Sequence, residues 1–245
     1  GVIDPVNHEQ FLFEATPDIT LQLRTLKNSA PLEISEIPTA IFLTHAHIGH
    51  YTGLMYLGKE AMNAQQVPVF VYPKMQVFLE NNGPWSQLVS NKNIVLKTMQ
   101  TNKLQQLNSQ LSVLPFQVPH RDEFSETVGY QINGPEKNAL FIPDIDKWEK
   151  WERDISELIQ KVDYAFLDAT FYKNGELKRN MNEIPHPFVE ESMELFYNLS
   201  ENDKQKVHFI HFNHTNPLLI EVSTAQKDVF KKGFNLAEEG EIIRF

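Results

Sequence analysis

Three histidines, His45, His47 and His50, fall within six residues, directly after the apolar run Ile41-Phe42-Leu43 and just before Thr52-Gly53-Leu54. Neutral imidazole is the commonest metal ligand and suits borderline ions such as zinc. Rings at i and i+2 that emerge just past a strand end can converge on one ion. A third at i+5 can face a neighbouring position. Two further stretches repeat the design of an apolar run that delivers a chemically active residue at its end. Leu111 to Pro119 leads to His120, and Ala139 to Pro143 leads to Asp144. His120 can join His45 and His47 if their strand ends are neighbours.

The elements that must position these groups are legible in outline. Phe11 to Glu14 alternates apolar and polar residues like an edge strand. Thr16 as N-cap, Pro17 at the first helical position and Asp18 in the first turn predict a helix, with Ile19, Leu21, Leu23 and Leu26 on its apolar face. A helix-like segment opens near Thr52-Gly53, with Leu54, Met55, Leu57 and Met62 toward a core. Val67 to Tyr72 reads as a strand, and Pro73 starts a helix that ends at Asn81-Asn82-Gly83-Pro84. Thr127 to Ile132 and Asp163 to Asp168 are strands, and Trp148, Trp151, Ile155, Leu158 and Ile159 form a core stripe at helical spacing. Asp168, at a strand end, is a candidate acceptor to orient a histidine or to cap the next turn. Asp146 is an alternative to Asp144 within the uncertainty of a strand boundary. His186 precedes a helix over residues 188–199, so its ring can enter a cleft from a helix N-terminus. His208 and His211 sit an odd number apart on the last strand and face opposite ways; His211, nearer the strand end, is the expected ligand. The polar turn Asn213-His214-Thr215-Asn216 can line the site. Arg121, beside His120, can hold an anionic substrate group.

Thr44-His45-Ala46-His47-Ile48-Gly49-His50-Tyr51-Thr52-Gly53-Leu54 resembles the THxHxDHxxGL signature of the metallo-β-lactamase superfamily. Thr16-Pro17-Asp18-Ile19, Pro119-His120-Arg121, Leu167 to Phe171 and His211 to Pro217 resemble, more narrowly, its coenzyme PQQ synthesis protein B branch. The resemblance runs over nearly the whole chain. It implies an α/β fold, a four-layer αβ/βα sandwich, with residues 1–245 as one domain that lacks an upstream segment. It implies metal ligands at His45, His47, His50, His120, Asp144 and His211, with Asp144 bridging. It also gives His186 a leaving-group role. From the residues themselves, His214 is an alternative for that role, Asp168 is counted among the catalytic residues, and Arg121 and Asn213 are expected toward substrate. Gly49 departs from the pattern, since it stands where the family has an aspartate ligand of the second metal. One divalent metal is therefore expected, zinc first with iron or manganese as alternatives, and the second position is expected weak or absent.

Composition bounds the rest. The chain has 245 residues, 41% of them hydrophobic, so it can bury a substantial core. Its net charge of −10 argues against a nucleic-acid substrate. There are no cysteines, which removes disulfides and thiolate ligands and fixes no compartment. No apolar run approaches the ~18–20 residues that span a membrane. Three functions fit: a metal-dependent hydrolase of a small ester, phosphodiester or amide, a metal-dependent oxidoreductase in cofactor synthesis, and a metal-binding protein with reduced catalysis.

Overall fold

The strands expected around the histidines form, and most of them form as parallel neighbours. The computed structural model describes residues 1–181 and 183–245. By contact the chain divides into two compact units, residues 1–103 with 122–126 and residues 104–121 with 127–245.

In the first unit β1 (Val2–Asp4), β2 (Glu9–Phe13), β3 (Ala40–Phe42), β4 (Val67–Val71) and β5 (Ile94–Thr98) make one sheet in that order. β1 and β2 are antiparallel, and every later pair is parallel. Parallel strands covered on both faces read as unbroken apolar runs, and β3 does so. Ile41 and Leu43 join a core with Leu12, Leu54, Val69 and Val71, while Phe42 turns to the other face and stacks between Phe13 and Phe70. β2 is an interior strand, not the edge that its alternation suggests, because β1 pairs along its outer side. Its polar Gln10 is fully buried and donates to the Ser35 carbonyl.

The helices here are α1 (Ile19–Asn28), α2 (Ile48–Tyr51), α3 (Pro73–Asn81) and α4 (Trp85–Ser90). α1 starts later than expected. Thr16 uses its hydroxyl to accept the Asp18 amide and its carbonyl to accept the Ile19 amide, so Asp18 takes the N-cap position. Of α1's expected apolar face, Ile19 and Leu23 are buried and Leu21 is exposed. The segment after the histidines opens at Ile48, earlier than expected, and tightens into a 3₁₀ turn over Thr52–Leu57. With three residues per turn, Leu54 and Leu57 stay buried and Met55 faces outward.

In the second unit β6 (Gln105–Gln106), β7 (Ser112–Gln117), β8 (Val128–Asn133), β9 (Asn138–Ile142), β10 (Tyr164–Asp168), β11 (Val207–Ile210) and β12 (Asn235–Leu236) form a sheet in consecutive order. β6 to β9 pair antiparallel, and β9 to β12 pair parallel. Around it lie α5 (Ile155–Gln160), α6 (Val189–Leu195), α7 (Glu201–Lys204) and α8 (Thr224–Lys231). The tryptophan stripe is core, as expected, but it is split. Trp148 lies in a separate 3₁₀ turn and donates its indole N–H to Ser192. α5 is then capped by Asp154, which accepts two backbone amides. α6 spans only seven residues and stops well short of Leu199.

The histidine motif carries two glycines with opposite requirements. A Cβ on Gly53 would lie 2.1 Å from the Thr16 carbonyl oxygen, whereas one on the exposed Gly49 would meet nothing within 4 Å. Gly53→Ala should therefore destabilise the protein by about 1–3 kcal/mol, the usual cost of overpacking. Gly49→Ala should be neutral or stabilise by up to about 0.5–1 kcal/mol, the helical cost of glycine. Urea denaturation of both variants checks this, and equal effects would contradict it.

Candidate metal centre

Parallel strands deliver the residues just past their carboxyl ends to a common edge, where α/β proteins bind ligands. In the first unit, in-register pairing of β2 with β3 sets Glu14 beside the segment that begins at Thr44. His45 and His47 follow directly. His45 Nε2 and His47 Nδ1 lie 2.7 Å apart. The other nitrogen of each ring has its own partner, Thr44 Oγ1 at 2.8 Å from His45 Nδ1 and Glu123 Oε2 at 3.0 Å from His47 Nε2. With each ring's proton on its outer nitrogen, the two facing nitrogens would present the lone pairs that metal-ligating histidines need. Imidazole pairs so polarised fit a divalent ion such as zinc.

His50 is buried, and its Nδ1 lies 2.6 Å from Glu14 Oε2. Glu14 also accepts the Thr44 amide at 2.8 Å through its other oxygen. Its φ of +77° is a conformation that non-glycine residues rarely adopt. The sequence reading treats Glu14 only as the end of a strand. No local signal marks it, because its partners Thr44 and His50 lie 30 and 36 residues further along the chain. Ser125, whose hydroxyl accepts the Ala46 amide at 2.8 Å, carried no such signal either.

In the second unit the register of β9, β10 and β11 pairs Leu167 with Ile142 and Asp168 with Ile210. Asp144, Asp168 and His211, each at or just past a strand end, are thereby gathered. With His186 they form a group whose candidate ligand atoms all lie within 4.8 Å of one another. His120, carried by the segment after β7, brings its Nε2 within 3.3 Å of Asp144 Oδ1. Asp168 is fully buried and receives the amides of Ile145 and Thr170, the Thr170 hydroxyl, and His186 Nδ1 at 2.8 Å. Four donors use most of the lone pairs on its two oxygens. Asp168 thus orients a histidine and holds the turn after β10 at the same time.

His186 Nδ1 also lies 3.1 Å from Asp144 Oδ1. Burial lowers the pKa of this imidazole, but the charges and hydrogen bonds of Asp168 and Asp144 more than reverse that, pushing it up to about 10. Its ring is thus held by two aspartates rather than presented from the N-terminus of α6. His211 has a φ of +64°, and its Nδ1 lies 2.8 Å from Thr170 Oγ1. Non-glycine residues held at positive φ cluster at functional sites. Thr170, which lies inside the Leu167 to Phe171 motif but has no role assigned from sequence, is the hub that joins Asp168, His186 and His211.

Three candidate residues, His214, Asn213 and Asp146, stand elsewhere. His214 is exposed and belongs to no metal-ligating group among the described residues. Asn213 turns its side chain onto Thr215 Oγ1, so neither residue supplies the ligand that Gly49 lacks. Asp146 pairs with Lys150 at 2.8 Å and does not replace Asp144. Arg121 is exposed beside His120. His208 packs its ring against Tyr164 and Phe166, away from the histidines as expected.

A family model for the beta-lactamase superfamily domain matches residues 9–212, and the chain belongs to that superfamily. Its α/β fold is the superfamily's fold. Within it the chain is similar to coenzyme PQQ synthesis protein B. The protein of that name from Methylorubrum extorquens strain PA1 is 22% identical over 97% of this chain and 84% of its own length. That from Gluconobacter oxydans strain 621H is 29% identical over 125 residues, which cover 49% of this chain and only 40% of the relative. The crystal structure of zinc-bound PqqB from Methylobacterium extorquens superposes with a TM-score of 0.81 at 21% identity, covering 99% of this chain and 86% of that one.

Thr170→Val keeps the shape of the side chain and removes its hydroxyl. It should cost about 1–3 kcal/mol, because Asp168 and two histidines lose a shared partner. Thermal unfolding of the metal-free protein measures it, and a stability within error of wild type would show that the hub carries no weight.

Proposed function

We propose that the chain is a metal-dependent hydrolase that acts on a small ester, phosphodiester or amide. Two observations carry this reading, one in each unit: the His45–His47 imidazole pair after β3, and the Asp144–Asp168–His186–His211 group after β9, β10 and β11. The proposed ligand set is the one that the superfamily motif implies: His45, His47, His120 and Asp144 for one divalent metal, most simply zinc. A bound ion of this kind polarises an acyl or phosphoryl oxygen and lowers the pKa of water. The chain's own residues do the rest. Thr44 and Glu123 hold His45 and His47 in their ligating tautomers. Asp168 and Asp144 hold His186 Nδ1, which leaves Nε2 to pass a proton to the leaving group. No cysteine competes for the ion.

A second reading, an oxidoreductase in cofactor synthesis, draws its support from the similarity to coenzyme PQQ synthesis protein B. Imidazole and carboxylate donors also suit iron with open positions. Anaerobic reconstitution with iron followed by an oxygen-uptake assay separates the two. Turnover of ester or phosphodiester substrates by the zinc protein, abolished by chelation and by His45→Ala, supports hydrolysis. Oxygen consumption by the iron protein alone overturns it.

The second metal position lacks its aspartate, and a carboxylate is what relieves repulsion between two dications a few ångströms apart. Wild-type protein should retain about one metal per chain, and Gly49→Asp, which has open space for a side chain, should raise this toward two. Dialysis with elemental analysis decides it, and two metals held equally by wild type would sink the idea. Nucleic acid is not the proposed substrate, given the net charge of −10. Micromolar binding of transfer RNA at physiological salt, with a steep salt dependence, would overturn that.

A further inference from the structure

Resting on the metal-binding reading, we infer that Glu14 is a positioning residue that sets the tautomer of His50 and brings, one bond further out, the negative charge that Gly49 does not provide. Four observations converge on it. The carboxylate is buried, only 5% exposed. Its Oε2 lies 2.6 Å from His50 Nδ1, shorter than an ordinary N–H···O contact and typical of a charge-assisted one. Its Oε1 accepts the Thr44 amide, and the Thr44 hydroxyl in turn meets His45 Nδ1. One side chain therefore touches the supports of two histidines in the motif. The backbone pays for this placement at φ +77°.

That strained backbone is clamped from both sides. The Glu14 amide donates to the Phe42 carbonyl, and the Ala15 amide donates to the His50 carbonyl. The Gly53 amide returns a bond to the Ala15 carbonyl. The close approach that excludes a side chain at Gly53 comes from this same segment, at the Thr16 carbonyl. The structure thus presses residues 14–16 against the histidine helix at the point where the carboxylate must reach Nδ1.

The chemical consequence follows from the two ring nitrogens. A carboxylate accepts only, so His50 must carry its proton at Nδ1, and Nε2 becomes the ligating atom. The negative charge at Nδ1 also makes Nε2 a stronger donor. In the family pattern an aspartate at the position of Gly49 would bring charge to the metal directly. Here Glu14 brings it through the imidazole.

Glu14→Gln tests this, because the amide keeps one acceptor for the Thr44 amide and turns an N–H donor toward His50 Nδ1. The ring must then flip its proton to Nε2 and lose its ligating lone pair. The measurement is ¹⁵N-edited NMR of the histidine side chains, first metal-free and then through a zinc titration. Wild type should show a hydrogen-bonded proton on His50 Nδ1, and the His50 Nε2 resonance should move as zinc is added. In Glu14→Gln the Nδ1 proton should vanish, and the zinc concentration that moves Nε2 should rise on the order of 10- to 100-fold. Circular dichroism confirms that the variant is folded. Should it not fold, the wild-type spectrum still decides, since a His50 without a proton at Nδ1 overturns the proposal. An unchanged zinc response of His50 in a folded Glu14→Gln also overturns it. If other histidines respond to zinc and His50 does not, the Glu14 proposal fails while the metal reading stands. If no histidine responds, the metal reading itself has failed.

Discussion

A buried carboxylate must find donors for its oxygens, and in this chain two such carboxylates organise nearly everything chemical around them. Glu14 in the first unit and Asp168 in the second are 5% and 0% exposed. Each stands at the carboxyl end of a parallel strand or just past it. Each takes backbone amides with part of its capacity and an imidazole Nδ1 with the rest. A desolvated charge is tolerated only when fully hydrogen-bonded. The bonds that satisfy these carboxylates are therefore the bonds that fix ring orientation and tautomer. Stability and site geometry rest on the same contacts, so neither can be relaxed without the other.

That coupling accounts for the strained backbones. Glu14 and His211 both sit at positive φ, each immediately next to a strand end. A regular continuation of β2 or β11 would send these side chains alternately to the two faces of the sheet. Turning at the strand end aims them along the edge instead. Tertiary bonds hold the turns, with the Glu14 amide on Phe42 and the Asn213 amide on the Thr170 carbonyl.

How far this was legible in the sequence follows from the range of each interaction. The strand-then-histidine design at Ile41–His45 and the strand-then-carboxylate design at Ala139–Asp144 are local patterns, and they mark strands that form. The grouping of Asp144, Asp168 and His211 needs only the further rule that parallel strands share an edge. Glu14 and Thr170 were not legible. Glu14 meets Thr44 and His50 at separations of 30 and 36 residues, and Thr170 meets His211 at 41. No periodicity encodes those distances. β2 was misread as an edge for the same reason, since its neighbour β1 decides its place and its buried Gln10 mimics an outward position. The start of α1 moved because Thr16 spends its hydroxyl and its carbonyl on the residues that precede the helix.

Gly49 shows what the superfamily pattern alone leaves open. Read against the motif, the residue is a loss, one ligand fewer and one negative charge fewer. Within the structure its neighbourhood is not short of negative charge, because His50, the very next residue, already carries a buried carboxylate on its far nitrogen. An aspartate at position 49 would bond a metal directly and add a full charge to its inner sphere. In the proposed reading Glu14 acts at one remove, through the neutral ring of His50, which faces the second position and not the first. On that reading the absent aspartate and the buried glutamate belong to one arrangement, in which negative charge reaches the second position through an imidazole and not by a direct bond.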